Sequence, residues 1–205
     1  MKKLALLLLL IAMVWFIYPR AAPVRLGPGV FAPDDPEQGK VRNAERIPYG
    51  DYTLTPLATW HVTGKVLSRR DYWWGREADL SPTDLARGWG RMSDESVLAH
   101  FDISQSNRFY RWWTKALPIP RGEVERHSAN MHLIPATDDV EAAIDEAREG
   151  HIVEFKGRLV LVDAKDGWHW VSSLTRNDTG NGACELIYVE DFTVHPPETC
   201  SPQHP

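Results

Sequence analysis

Several groups of residues have types and spacings that can do chemistry. Asp178-Thr179-Gly180 is the core tripeptide of the aspartic-protease signature, whose aspartate works as one of a carboxylate pair. That signature wants apolar strand residues before the aspartate. Here Thr175, Arg176 and Asn177 stand there, and no second triplet supplies the other carboxylate. A glycine-rich loop, with Asn177 and Asp178 making local turn bonds, explains the tripeptide better. Cys184 with His127, His132 or His169 has the makings of a nucleophile and its base. Nucleophilic cysteines need a lowered pKa, for instance at a helix N-terminus, whereas Cys184 opens a strand. His127 and His132 with Asp138 or Asp139 are metal-ligand types, but their spacing fits no strong metal motif. Glu77, Asp79 and Asp84 are candidate paired carboxylates for glycoside hydrolysis, which solvated or capping roles explain better. No metal and no cofactor is expected. His132 and Asp178 remain the catalytic candidates.

A binding site is a better expectation. Trp60, Trp73, Trp74, Trp89, Trp112, Trp113, Trp168 and Trp170 are interleaved with arginines from Arg69 to Arg126. Such a surface stacks on sugar rings or bases, or holds anionic groups. Adjacent tryptophans in an extended chain split between faces, so Trp73 and Trp112 are expected on the surface. A polar pocket is expected where the loop Ser172–Cys184 meets the segment Ser128–His132. Its ligand-binding set is Ser128, Asn130, His132, Arg176, Asp178 and Glu185.

The elements that must position these residues centre on His151–Glu190. Ile152 to Phe155 and Leu159 to Val162 read as strands, with Lys156-Gly157 as a tight turn between them. Asp166-Gly167 is a stronger hairpin signal. Trp168 and Trp170 follow at period two, on one face, and Leu186–Val189 closes an antiparallel meander. Upstream, Leu57–Arg70 alternates as a strand, with Gly64 marking a bulge or bend. Leu80-Ser81-Pro82-Thr83-Asp84 reads as a helix start, with Ser81 as cap and Pro82 at the first position. Ser93–Ser96 starts a second helix. Asn107–Trp113 and Met131–Ile134 read as strands. Thr137 to Arg148 is the best helix, capped by Thr137, with Asp138 and Asp139 in its first turn and an apolar stripe of Val140, Ala143, Ile144 and Ala147.

The N-terminus is a different kind of segment. Lys2 and Lys3 precede fifteen uncharged residues, Leu4 to Tyr18. In a helix these span ~22 Å, against a hydrocarbon core of ~30 Å. The pattern is that of a signal anchor or signal peptide over residues 1–19. No small residue stands at −3 for a cut after Ala21 or Ala22, which favours the uncleaved form. The expected location is the inner membrane, single-pass, with the N-terminus inside and the domain in the periplasm, or secreted if the signal is cleaved. In that compartment Cys184 and Cys200 are expected to form a disulfide, which would add roughly 3 kcal/mol. Residues 20–55 read as a Pro/Gly-rich linker, 56–194 as a single globular domain, and 195–205 as a Pro-rich tail. The net charge of −5 argues against nucleic acid as a partner.

The runs LSPTDLARGWGRMSD, SQSNRFYRWW, SANMHLIPA and DGWHWVSSLTRNDTGNGACELIYVE resemble a family of exported, N-terminally anchored bacterial proteins with no established biochemical function. The resemblance spans about Leu57–Glu190 and implies an envelope location, but no catalytic residue. The expectation is an α+β, mostly-β domain: a small antiparallel, partly open barrel, OB- or SH3-like, with two or three short helices. Its expected role is a non-catalytic binding or assembly module of the cell envelope, with the membrane and an envelope protein or glycan as partners. The alternative is an envelope hydrolase or small-ligand-binding protein using the same polar pocket.

Overall fold

The computed structural model describes residues 22–42, 44–175 and 184–203. The segment Met1–Tyr18, on which the anchor expectation rests, lies outside them. Among the described residues no helix is long and apolar enough to cross a membrane.

The chain is mostly β, with short helices. Its strands are β1 (Glu37–Lys40), β2 (Ile47–Tyr49), β3 (Tyr52–Asp71), β4 (Thr83–Gly88), β5 (Asp102–Ser106), β6 (Phe109–Trp113), β7 (Ser128–Pro135), β8 (Ile152–Ala164), β9 (His169–Val171) and β10 (Glu185–His195). The helices are α1 (Arg76–Leu80), α2 (Glu95–Leu98), α3 (Arg121–Arg126) and α4 (Asp138–Glu146). Eight strands form one mixed sheet, and β5–β6 is a separate hairpin.

β3 is the organising strand. Its first part, Tyr52 to Lys65, pairs antiparallel with β8, and its end, Lys65 to Asp71, pairs with β4. β4 pairs with β7, β7 with β10 in parallel, and β10 with β8. The pairings therefore return to β3. The sheet is mixed, so the expected all-antiparallel meander is corrected at β7–β10. The inner face carries Trp60, Val62, Leu85, Met131, Leu133, Phe155 and Ile187. α4 closes it with Val140 and Ile144, and the Thr137 hydroxyl accepts the Val140 N–H at 3.3 Å, as its capping sequence requires.

Three local expectations gave way to lateral pairing. Ser81-Pro82 does not start a helix. Residues 83–88 form β4, all buried between β3 and β7, and the short helix α1 lies before them. Lys156-Gly157 is no turn but runs through β8, paired with β3 on one edge and β10 on the other, and a Cβ on Gly157 would stand 2.1 Å from the Tyr188 carbonyl oxygen. Gly64 is not itself a bulge. The register of β3 shifts between Pro56 and Ala58 and between Val66 and Ser68, while Gly64 makes room for the Arg87 side chain, 3.0 Å from where its Cβ would be. The Asp166-Gly167 hairpin forms as read, with Gly167 at φ +87°.

The stretch read as a linker packs against the domain. β1 and β2 both pair with β3. Phe31 and Ala32 are buried, and their N–H groups donate to the Ser93 hydroxyl. At the other end, β10 continues to His195, and Gln203 bridges back to Val30.

Candidate functional site

β4, β7 and β10 carry a second set of side chains, on the face opposite the core. Side chains alternate along a strand, and paired residues share a face. Asp84 pairs with His132, and His132 with Leu186. Asp84, Asn130, His132 and Leu186 therefore point away from Leu85, Met131 and Ile187. The β5–β6 hairpin, α3 and Trp170 cover this face and turn it into two adjoining cavities.

The larger cavity, about 660 Å³, is lined by Tyr110, Trp112 and Trp113 from β6, by Arg111, Arg121 and Arg126, and by Ser128, Asn130, Thr175, Cys184 and Glu185. Ser128 donates its hydroxyl to Val124 O at 2.6 Å and accepts from Tyr110 Oη at 3.3 Å. Burial pushes the Tyr110 phenol up to about 12, so it stays a donor. Asn130 donates to Arg108 O at 2.9 Å and accepts from Gln105 Nε2 at 2.6 Å, which fixes its amide orientation.

The smaller cavity, about 340 Å³, is lined by His132, Trp170, Arg108, Glu77, His169 and Cys184, among others. A buried polar cluster backs it. His132 Nδ1 lies 2.9 Å from Asp84 Oδ1, though outside hydrogen-bond geometry. Arg108 Nη1 stands 2.7 Å from the same oxygen and donates to Ser81 O at 2.9 Å. The Arg108 guanidinium lies 3.7 Å from the centre of the Tyr72 ring, and the His132 ring 4.9 Å from that of Trp170. Burial first, and then the Asp84 charge, push the Tyr72 phenol up.

Arg108 reaches this position from a tight turn. Asn107 and Arg108 have φ of 52° and 66°, the left-handed pair that a primed hairpin turn needs. Asparagine tolerates that region, but for arginine it costs roughly 1–2 kcal/mol. Its charge pair, its stacking on Tyr72 and the Tyr72 hydroxyl bonded to its N–H at 3.0 Å offset the cost.

Of the six expected ligand-binding residues, Ser128, Asn130 and Glu185 converge on the larger cavity, and His132 opens onto the smaller one beside it. Arg176 and Asp178, with the protease-like tripeptide, lie outside the described residues. Trp73 is on the surface at 79% exposed, but Trp112 is a cavity wall packed edge-to-face on Phe101, and its neighbour Trp113 is the exposed member. His127 and His132 do not share a site. His127 precedes β7 and His132 is its fifth residue, about 16 Å along the chain, and His127 instead faces Trp89 and Asp35. Among the described residues no group of three or more His, Cys, Asp or Glu side chains is arranged to hold a metal ion.

The Cys184–Cys200 disulfide is also corrected, since the two sulfurs are not bonded. They flank opposite ends of β10, whose length from Glu185 to His195 is ~33 Å. Five further residues can return at most ~17 Å, and a disulfide needs Cα atoms within ~7 Å.

Sequence reasoning placed Arg108 and Trp170 only in a general aromatic and arginine surface, missed Tyr72, and gave Asp84 to capping or paired-carboxylate roles. Asn107-Arg108 between two strand-forming runs was the available signal, because asparagine is a residue that tolerates the left-handed turn. No family model matches the chain, and neither a curated protein nor a solved structure matches it.

Proposed function

We propose that this protein is a binding module of the bacterial cell envelope, held at the membrane by Met1–Tyr18 and taking a glycan segment in the aromatic cavity. The observation that carries this reading is the meeting of Ser128, Asn130 and Glu185 with Tyr110, Trp112 and Trp113 around one space of about 660 Å³. Flat aromatic faces with a few fixed polar groups suit sugar rings, which pair an apolar face with hydroxyls at the edge. The net charge of −5 disfavours a polyanion such as nucleic acid.

The finer fold reading is a partly open barrel of the OB type. The ring of pairings through β3, β4, β7, β10 and β8, the parallel β7–β10 pair and α4 between β7 and β8 support it. OB barrels bind oligosaccharides and oligonucleotides on the face of their second and third strands. Here those strands are β4 and β7, which carry the site. Fold alone does not assign a function, so the residues of the cavity carry the argument.

The test is titration of the full chain with soluble N-acetylated disaccharide fragments of cell-wall glycan, followed by tryptophan fluorescence and by NMR of the sugar. Saturable binding that Trp112→Ala weakens about tenfold or more supports the reading. Absence of binding at millimolar sugar, with the fold intact by circular dichroism, rejects it.

A further inference from the structure

The smaller cavity holds a set of groups that binding alone does not call for. Cys184 and His132 share one face. Glu185 pairs with Met131 and Leu186 with His132, so the parallel register sets Cys184 beside Asn130, one side-chain step before His132. That step is ~6.6 Å along the strand. Both side chains line the same 340 Å³ space. Cys184 Sγ lies 3.8 Å from Arg108 O, and the Arg108 guanidinium is paired with Asp84.

His132 is only 3% exposed. Its Nδ1 lies 2.9 Å from Asp84 Oδ1, outside hydrogen-bond geometry and without a hydrogen-bond partner among the described residues. The Trp170 ring lies 4.9 Å away between ring centres, tilted by 47° to the imidazole. Asp84 is fully buried, its Oδ1 accepting from Arg108 Nη1 and standing beside the imidazole. Thiol, imidazole and carboxylate are thus neighbours on one face, and they are the residue types that activate a nucleophile.

We propose that Cys184 is a nucleophilic thiol, with His132 as its base and Asp84 as the positioning residue, that accepts an acyl group from an ester or amide of a ligand bound in the adjoining cavity. The thiol proton passes to His132 Nε2 as sulfur bonds to the carbonyl carbon. The carbon–oxygen or carbon–nitrogen bond to the leaving group breaks, and His132 returns the proton to that atom. Water then adds to the thioester with His132 taking its proton. The carbon–sulfur bond breaks, His132 returns that proton to the sulfur, and the acid leaves with the thiol restored. Arg108 and Glu77, the charged groups on the cavity wall, set the field around the step. This inference goes beyond glycan binding, and its thiol test stands or falls without any sugar.

The experiment uses the full chain and two probes. Iodoacetamide alkylation of each cysteine is followed by mass spectrometry from pH 5 to pH 10, with Cys200 as the internal reference, since burial pushes its thiol up. Cys184 is expected to react about tenfold or more faster than Cys200 at pH 7, with a midpoint below the ordinary thiol value of ~8.5. In His132→Gln that midpoint should move up by about one unit or more, with the near-ultraviolet circular dichroism unchanged. p-Nitrophenyl acetate should leave one acetyl group on Cys184 and not on Cys200. An ordinary thiol profile for wild-type Cys184 overturns the proposal, whether or not the variant folds. So does a profile that His132→Gln leaves unmoved, or an acetyl group that never appears on Cys184.

Discussion

The Arg87 guanidinium lies 4.4 Å from the centre of the Phe155 ring, inside the ring of strands, and among the described residues no carboxylate pairs with it. Its Nη2 donates to Val153 O at 2.7 Å and to Gly64 O at 3.3 Å, while Nε and Nη1 are buried without partners. Burial lowers its pKa from the usual guanidinium range to about 9.

A buried cation of this kind costs stability. The folded pKa is the lower one, so the full cost applies below about 9 and falls as pH rises from there toward the unfolded value. Arg87→Met keeps the length and the contact with Phe155 without the charge. It should raise the unfolding free energy at pH 7 by about 1–3 kcal/mol in a urea melt. A loss of stability would show that the guanidinium has a compensating partner in solution.

Lys65 and Glu95 fasten the N-terminal segment. Lys65, 2% exposed, places Nζ 2.8 Å from Glu95 Oε1, and the two Glu95 oxygens accept the N–H groups of Leu26 and Gly27. Burial pushes the Glu95 carboxyl up, but the bonds from Lys65, Leu26 and Gly27 outweigh it and hold it below the usual range. Burial lowers the Lys65 ammonium, against the pull of Glu95. Glu95→Ala strands a buried cation and frees two N–H groups. It should cost about 3–5 kcal/mol and speed tryptic cleavage at Arg25. An unchanged cleavage rate would separate the ion pair from the ordering of this segment.

Glu154 bridges two histidines, with His61 Nε2 at 2.9 Å and His195 Nε2 at 3.3 Å. The hydrogen bond from His61 is the main cause that holds its carboxyl below the usual range. A depressed carboxylate contributes stability above its unfolded value of ~4.3, and that stability is lost as pH falls through the lower folded value. Wild-type Tm should therefore fall between about pH 5 and pH 3, and Glu154→Gln should flatten that part of the curve. Parallel curves for the two proteins would remove Glu154 from the acid transition.

Gly157 sets how closely β8 approaches β10. A Cβ there would stand 2.1 Å from Tyr188 O, a backbone atom that cannot turn aside. Gly157→Ala should destabilise by about 3 kcal/mol through the displaced pairing, read as a lower urea midpoint. Gly167→Ala is the contrast. It faces open space, so its cost is only that of its φ of +87°, about 1 kcal/mol. Equal costs for the two would contradict the packing argument.

Where an element rests on residues close in sequence, the sequence alone determined it. Thr137 capping the helix through Glu146, the Asp166-Gly167 hairpin and the shared face of Trp168 and Trp170 are of this kind. Each is set by a cap, a turn conformation or a side-chain period that a few neighbours supply. The tertiary structure decided the rest. Thr83–Gly88 has a helix-start sequence ahead of it, yet pairing with β3 on one side and β7 on the other makes it a strand. Lys156-Gly157 has turn residues, yet β3 and β10 flank it on both edges and keep it straight. The meeting of Asp84, Arg108, His132 and Cys184, and the separation of Cys184 from Cys200, follow from strand register and strand length. Register joins residues tens of positions apart, and local propensity carries no information about which strand will lie alongside.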